Sequence, residues 1–142
     1  MVKLFIDTNV LIDFLQRDRD GHLLAATVFT LILNGQIEAV LSIQSILDAA
    51  YVCRKYPRWD EAKFRESIDR LTRRTNVETV HVFELRDALR DAHPDLEDNA
   101  MIALAFSSGC DHFLTNDREL LSRSLPAPLT ALTPEAFLRR CR

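Results

Sequence analysis

The stretch Lys3–Leu15, KLFIDTNVLIDFL, decides how the chain is read. A short apolar run reaches Asp7, and apolar residues at helical spacing follow at once. A carboxylate at the end of a buried strand is costly to desolvate unless something pairs with it or binds it. The stretch therefore predicts a buried strand over KLFI and a helix from near Asn9, capped by Asp7 or Thr8. It also asks the rest of the chain to explain Asp7.

Working outward, HLLAATVFTLILNG has helical spacing and stops at Gly35, and IEAVLS reads as a second strand. SILDAAYVCRKY is helical up to Pro57, since the residue before proline avoids the helical region. Trp59 to Arg74 is amphipathic, with Phe64, Ile68 and Leu71 on one face. VETVHV alternates as a strand and FELRDALRDAH is helical up to Pro94. DLEDNAMIALAFSSGC predicts a helix capped near Asp95, HFLT a strand and PLTAL the last strand. TPEAFLRRC starts a helix with Thr133 as cap and Pro134 in its first turn. Strands that alternate with helices predict an α/β fold with a mostly parallel sheet covered on both faces. Residues 1–142 read as a single domain. Ligands of such sheets bind beyond the carboxyl ends of the strands, where Asp7 and Asp117 both fall.

Composition narrows the classes. At 47% apolar and 27% charged residues the chain matches an ordinary soluble globule, and no apolar run approaches the roughly 20 residues of a membrane span. Asp7 and Asp13 interrupt what would be the apolar core of a signal peptide, so the expected location is the cytoplasm, away from membranes. Cys53, Cys110 and Cys141 are odd in number and widely spaced, with neither zinc-like pairing nor a disulfide framework. The net charge of −3 gives no overall pull toward nucleic acid. Its distribution is uneven: Arg54 to Arg74 holds eight Lys or Arg against four acids, whereas Thr75 to Ser122 holds ten acids against three arginines. Arg54, Lys55 and Arg58 are candidate contacts for RNA phosphates; such runs are more often a solvated helix face.

Four acids stand out by position: Asp7, Asp48, Asp98 and Asp117. Asp98 shares a helical stripe with Ile102 and Ala105, and Asp48 one with Val52, so both carboxylates point toward the end of the sheet. Taken singly, each has a plain structural reading as a cap or turn residue. Taken together, carboxylates converging on one crevice repel each other and stay ionised only beside a cation. An all-oxygen set is hard, which points to Mg2+ or Mn2+ and to phosphodiester hydrolysis.

FIDTNVLIDFL resembles the opening of PIN-domain ribonucleases, and DLEDNAMIALAFSSGCDHFLTND resembles their second acidic block. The resemblance runs from Leu4 to about Asp117 and implies a three-layer α/β/α sandwich with a mostly parallel sheet and metal-dependent RNA cleavage. PIN domains of this size are mostly VapC-type toxins, so a small antitoxin and a homodimer are the implied partners. The family's first, third and fourth acids fall on Asp7, Asp98 and Asp117, the implied metal ligands, and its usual second-acid glutamate falls on Asp48, one methylene shorter. Asn9 matches the asparagine of the opening motif and is expected to orient Asp7, while Thr115 and Asn116 shape the loop before the fourth acid.

Other features carry less. Glu97, beside Asp98, is expected at the rim of the site. His22, His81, His93 and His112 lack ligand spacing, with His81 and His112 expected on strands, and no serine has a partnered histidine. An aspartate-nucleophile phosphatase also places Asp after its first strand but wants an acid two residues on, where this chain has Asn9. A PIN-like binding module whose acidic site has decayed at Asp48 is the alternative to a ribonuclease.

Overall fold

The structure is a computed structural model that describes residues 1–141. Chain order is β1 (Lys3–Ile6), α1 (Thr8–Leu15), α2 (His22–Leu33), β2 (Glu38–Ser42), α3 (Ile43–Cys53) and α4 (Glu61–Thr72). Then follow β3 (Asn76–Glu78), α5 (Val82–Arg90), α6 (Leu96–Ser107), β4 (His112–Leu114), α7 (Arg118–Ser122), β5 (Thr130–Leu132) and α8 (Pro134–Arg140). The five strands form one sheet in the order β3-β2-β1-β4-β5, and every pairing is parallel.

Alternating side chains of the central strands feed two cores. Leu4, Ile6, Leu41 and Leu114 face the layer containing Val10, Leu11, Val28, Phe29 and Ile32. Phe5, Val40 and Phe113 face the layer of Met101, Leu104 and Ala105. Phe5 and Phe113, paired in register on β1 and β4, stack at 4.9 Å. The sheet is thus buried on both sides, which is why its strands read as continuous apolar runs.

This order places a topological switch beside β1. The chain builds outward through β2 and β3, then returns to the other side of β1 for β4 and β5. The crevice between the carboxyl ends of β1 and β4 lies where the two halves diverge, the usual ligand position in such sheets. Asp7 leaves β1 there, its backbone N–H bonded to the Leu114 carbonyl at 3.0 Å.

One expectation needs correcting. VETVHV is a strand only over Asn76–Glu78; His81 is the N-cap of α5, whose start the Glu84 carboxylate secures by accepting from the His81 backbone N–H at 3.2 Å. His81 therefore does not sit on a strand. No expectation covered the short helix α7; it forms because the Asp117 carboxylate accepts from the Glu119 N–H at 2.9 Å and so caps it. The expected caps Asp7, Asp95 and Thr133 all accept from backbone N–H groups of the helices they open. Gly35, with φ of 74°, closes α2 in the left-handed region that glycine adopts at no steric cost.

Candidate active site

Asp7, Asp48, Asp98 and Asp117 all line one open cavity of about 460 Å3 at the carboxyl end of the sheet. Each arrives by a different route. Asp7 follows β1, Asp98 is in the first turn of α6, Asp117 caps α7 after β4, and Asp48 lies midway along α3. Asp95 and Glu97 share the cavity wall.

Asp7 is the most tightly held. Its Oδ1 accepts from the Thr8 N–H at 2.8 Å, and its Oδ2 accepts from the Asn9 amide at 2.8 Å and the Thr115 hydroxyl at 2.7 Å. The Thr115 hydroxyl also accepts from the Asp117 N–H at 3.0 Å, and Asn9 Oδ1 accepts from the Asn116 N–H at 3.0 Å. A single network thus joins the start of α1 to the loop after β4. Asn9, Thr115 and Asn116 all belong to it. Among the described residues, buried Thr115 has no polar partner except this network to explain a hydroxyl at 0% exposure.

The electrostatics are those of crowded like charge. Burial pushes the Asp7 carboxyl up, partly opposed by its hydrogen bonds to Thr115 and Thr8, and Asp117 adds to the rise. Asp98 is pushed up to about 6, by burial first and then by Asp95, Asp7 and Asp117. Glu97 is raised by burial first and then by the negative charge of Asp48. The short Asp48 thus has a longer carboxylate beside it, contributed by the next acidic block.

A divalent cation fits the donor set. Carboxylate oxygens are hard ligands, and neither thiol nor imidazole lines the cavity. A cation would relieve the repulsion that raises Asp7 and Asp98. Asp117 keeps Oδ2 free of hydrogen bonds to the described residues. Among the described residues, no three His, Cys, Asp or Glu side chains already stand at metal-binding spacing, so the acids ring the cavity rather than filling it.

The basic candidates lie elsewhere. Arg54 pairs with Glu61 at 3.7 Å, Arg58 approaches Asp18 at 4.0 Å, and the Lys55 ammonium sits 4.2 Å from the centre of the Tyr51 ring. None of the three lines the acidic cavity, although Tyr51 does.

Two residues with no role in the sequence reading belong to the site. Asp13, only 5% exposed, accepts from Arg19 Nε at 2.6 Å and from Asn116 Nδ2 at 3.0 Å. Arg19 lines the cavity itself. An aspartate within a short amphipathic helix reads as solvated, and QRDRDG reads as a polar loop, so neither carried a signal.

An all-parallel sandwich with its acids gathered at the topological switch defines a class of protein, and sequence comparison agrees. Residues 3–119 match the PIN domain family, to which the chain belongs. Ribonuclease VapC1 of Aquifex aeolicus (strain VF5) is 26% identical over 144 residues, spanning 97% of this chain and 94% of that protein. The fold is shared with Mycobacterium tuberculosis VapC20, described as a sarcin-ricin loop cleaving toxin, at TM-score 0.65 and 14% identity over 82% of this chain and 91% of that one. It is shared also with a toxin–antitoxin complex from Klebsiella pneumoniae, at TM-score 0.66 and 16% identity over 92% and 97%.

Proposed function

We propose that the protein is an endoribonuclease dependent on Mg2+ or Mn2+, acting as the toxin of a toxin–antitoxin pair. The observation that carries this is the convergence of Asp7, Asp48, Asp98 and Asp117 on one cavity at the sheet's carboxyl end. Membership of the PIN domain family and the likeness to a ribonuclease support it.

In this reading Asp7, Asp98 and Asp117 hold the cation, and Asp48 is the fourth acid, with Glu97 beside it. The cation supplies Lewis acidity toward water and a phosphate oxygen. Asn9 and Thr115 fix the orientation of Asp7, so that the carboxylate need not reorganise when the cation enters. Metal ligation requires the ionised form, which Asp98, at about 6, already holds at neutral pH and would keep beside the cation. The partners are RNA, a small cognate antitoxin and a second copy of the chain. Exposed Val82, Phe83 and Leu89 on α5 supply apolar surface for one of the protein partners. No described helix is long and apolar enough to cross a membrane.

Incubation of RNA with the protein tests the reading: cleavage is expected with Mg2+ or Mn2+ and none with EDTA. Cleavage that persists in EDTA contradicts the metal role, and intact RNA under every metal favours a non-catalytic binding module. Asp48 is tested alongside. Asp48→Glu is expected to keep or raise activity, at a stability cost of about 1–3 kcal/mol at most if the added methylene is crowded. Asp48→Ala is expected to lose roughly tenfold or more, as mutation of groups supporting a metal typically does. An Asp48→Ala protein as active as the parent removes Asp48 from the site.

A further inference from the structure

Among the described residues that line the acidic cavity, Arg19 is the only cation. It sits in the loop between α1 and α2 and is held on two of its three nitrogens. Nε donates to Asp13 Oδ1 at 2.6 Å and Nη1 donates to the Tyr56 hydroxyl at 3.0 Å. Asp13 is itself fixed by Asn116, whose neighbour is Asp117. Nη2 makes no hydrogen bond to the described residues, and it is not a buried unsatisfied atom. The guanidinium therefore has one locked edge and one open nitrogen beside the cavity.

A purely structural partner for Asp13 would need only the locked edge. Burial would lower the Arg19 pKa, but its hydrogen bonds to Asp13 and Tyr56 more than offset this, so it stays protonated. Arg19 thus offers one open, charged nitrogen to a cavity otherwise lined by acids and neutral side chains. A planar guanidinium with a preset orientation suits a phosphodiester oxygen, because little side-chain entropy remains to be lost on contact.

We propose that Arg19 binds an RNA phosphate flanking the scissile one, with Asp13 and Tyr56 as the residues that aim it. This rests on the ribonuclease reading and names how the substrate strand is held. In sequence terms it assigns the strand's register to the QRDRDG loop rather than to the basic run from Arg54 to Arg74.

The test uses a short fluorescent single-stranded RNA and the Asp98→Asn protein, which binds without cutting, and reads anisotropy across salt concentrations. Each phosphate contact contributes about 0.7 to the slope of log affinity against log salt for single strands. Adding Arg19→Gln is expected to lower that slope by about 0.7 and the affinity roughly tenfold. Arg19→Lys keeps the charge and should retain the slope while losing part of the affinity. Tyr56→Phe leaves Asp13 paired and the fold intact, and should weaken binding with the slope unchanged. If Arg19→Gln fails to fold, the Lys and Phe variants decide: parental affinity in both overturns the proposal. An Arg19→Gln protein that folds and keeps the full slope overturns it as well, as does the lack of any salt-dependent binding by Asp98→Asn. Failure of the parent to cut RNA with Mg2+ or Mn2+ is a separate result and strikes the ribonuclease reading instead.

Discussion

Asp98→Asn is expected to lower RNA cleavage by about 1000-fold or more while leaving the metal-free protein as stable as the parent, or more stable. The activity loss follows from removing one anionic ligand, since Lewis-acid assistance by a bound cation is worth several kcal/mol and each 1.36 kcal/mol is about tenfold. The stability result has the opposite cause. The Asp98 carboxyl is raised to about 6 in the folded protein from an ordinary value of 3.8. Between those values the folded state holds a proton that the unfolded chain has released, so stability falls as pH rises through about 4 to 6. Above that window the ionised Asp98 is a standing cost, borne with Asp95, Asp7 and Asp117 around it. Asparagine removes the cost and can donate to Asp95, whose carboxylate already accepts from the residue 98 N–H at 3.0 Å. Thermal melts at about pH 4 and pH 7.5 with EDTA check this. The variant's advantage should appear only at the higher pH; a large loss of stability there would mean that Asp98 serves the fold.

Asp13→Ala is expected to cost about 2–4 kcal/mol, at or below the low end of the roughly 3–5 kcal/mol for breaking a buried ion pair, because Arg19 keeps 31% of its side chain exposed. Asp13 joins three segments. Arg19 binds it from the loop after α1, Asn116 binds it from the loop after β4, and its own backbone carbonyl meets His22 Nδ1 at 2.9 Å. Packing around it is close: a Cβ built on Gly21 would stand 2.2 Å from Asp13 Oδ2. Alanine at position 13 leaves the guanidinium without its main acceptor and the loop carrying Asp117 with one tether fewer. Urea denaturation measures the loss. A change below about 1 kcal/mol would place Asp13 among ordinary surface ion pairs, which contribute little.

The comparison with the sequence is instructive residue by residue. Asp7 was legible because it ends an apolar strand run, where a carboxylate demands an explanation, and Asp117 because it closely follows a later strand. Asp98 was legible from its stripe, since Ile102 at 5% and Ala105 at 0% exposure do face the core. The parallel sheet was legible from alternation of strand and helix. The hub at Asp13 was not, because its side-chain partners are 6 and 103 residues away and it falls in a helix whose apolar spacing is complete without it. His81 misled because VETVHV alternates correctly, whereas the chain turns where Glu84 reaches back to cap a helix. The basic run from Arg54 drew attention by charge alone, yet Arg54, Arg65, Arg70 and Arg73 are each paired with acids on or beside α4.

Calorimetric titration of Mn2+ into the metal-free protein at about pH 7.5 bears most directly on the claim that the four aspartates form a cation site. Saturable binding is expected in the parent, competed by Mg2+ and lost in Asp98→Asn. Equal Mn2+ binding by parent and Asp98→Asn, or no binding by a folded parent, would contradict it.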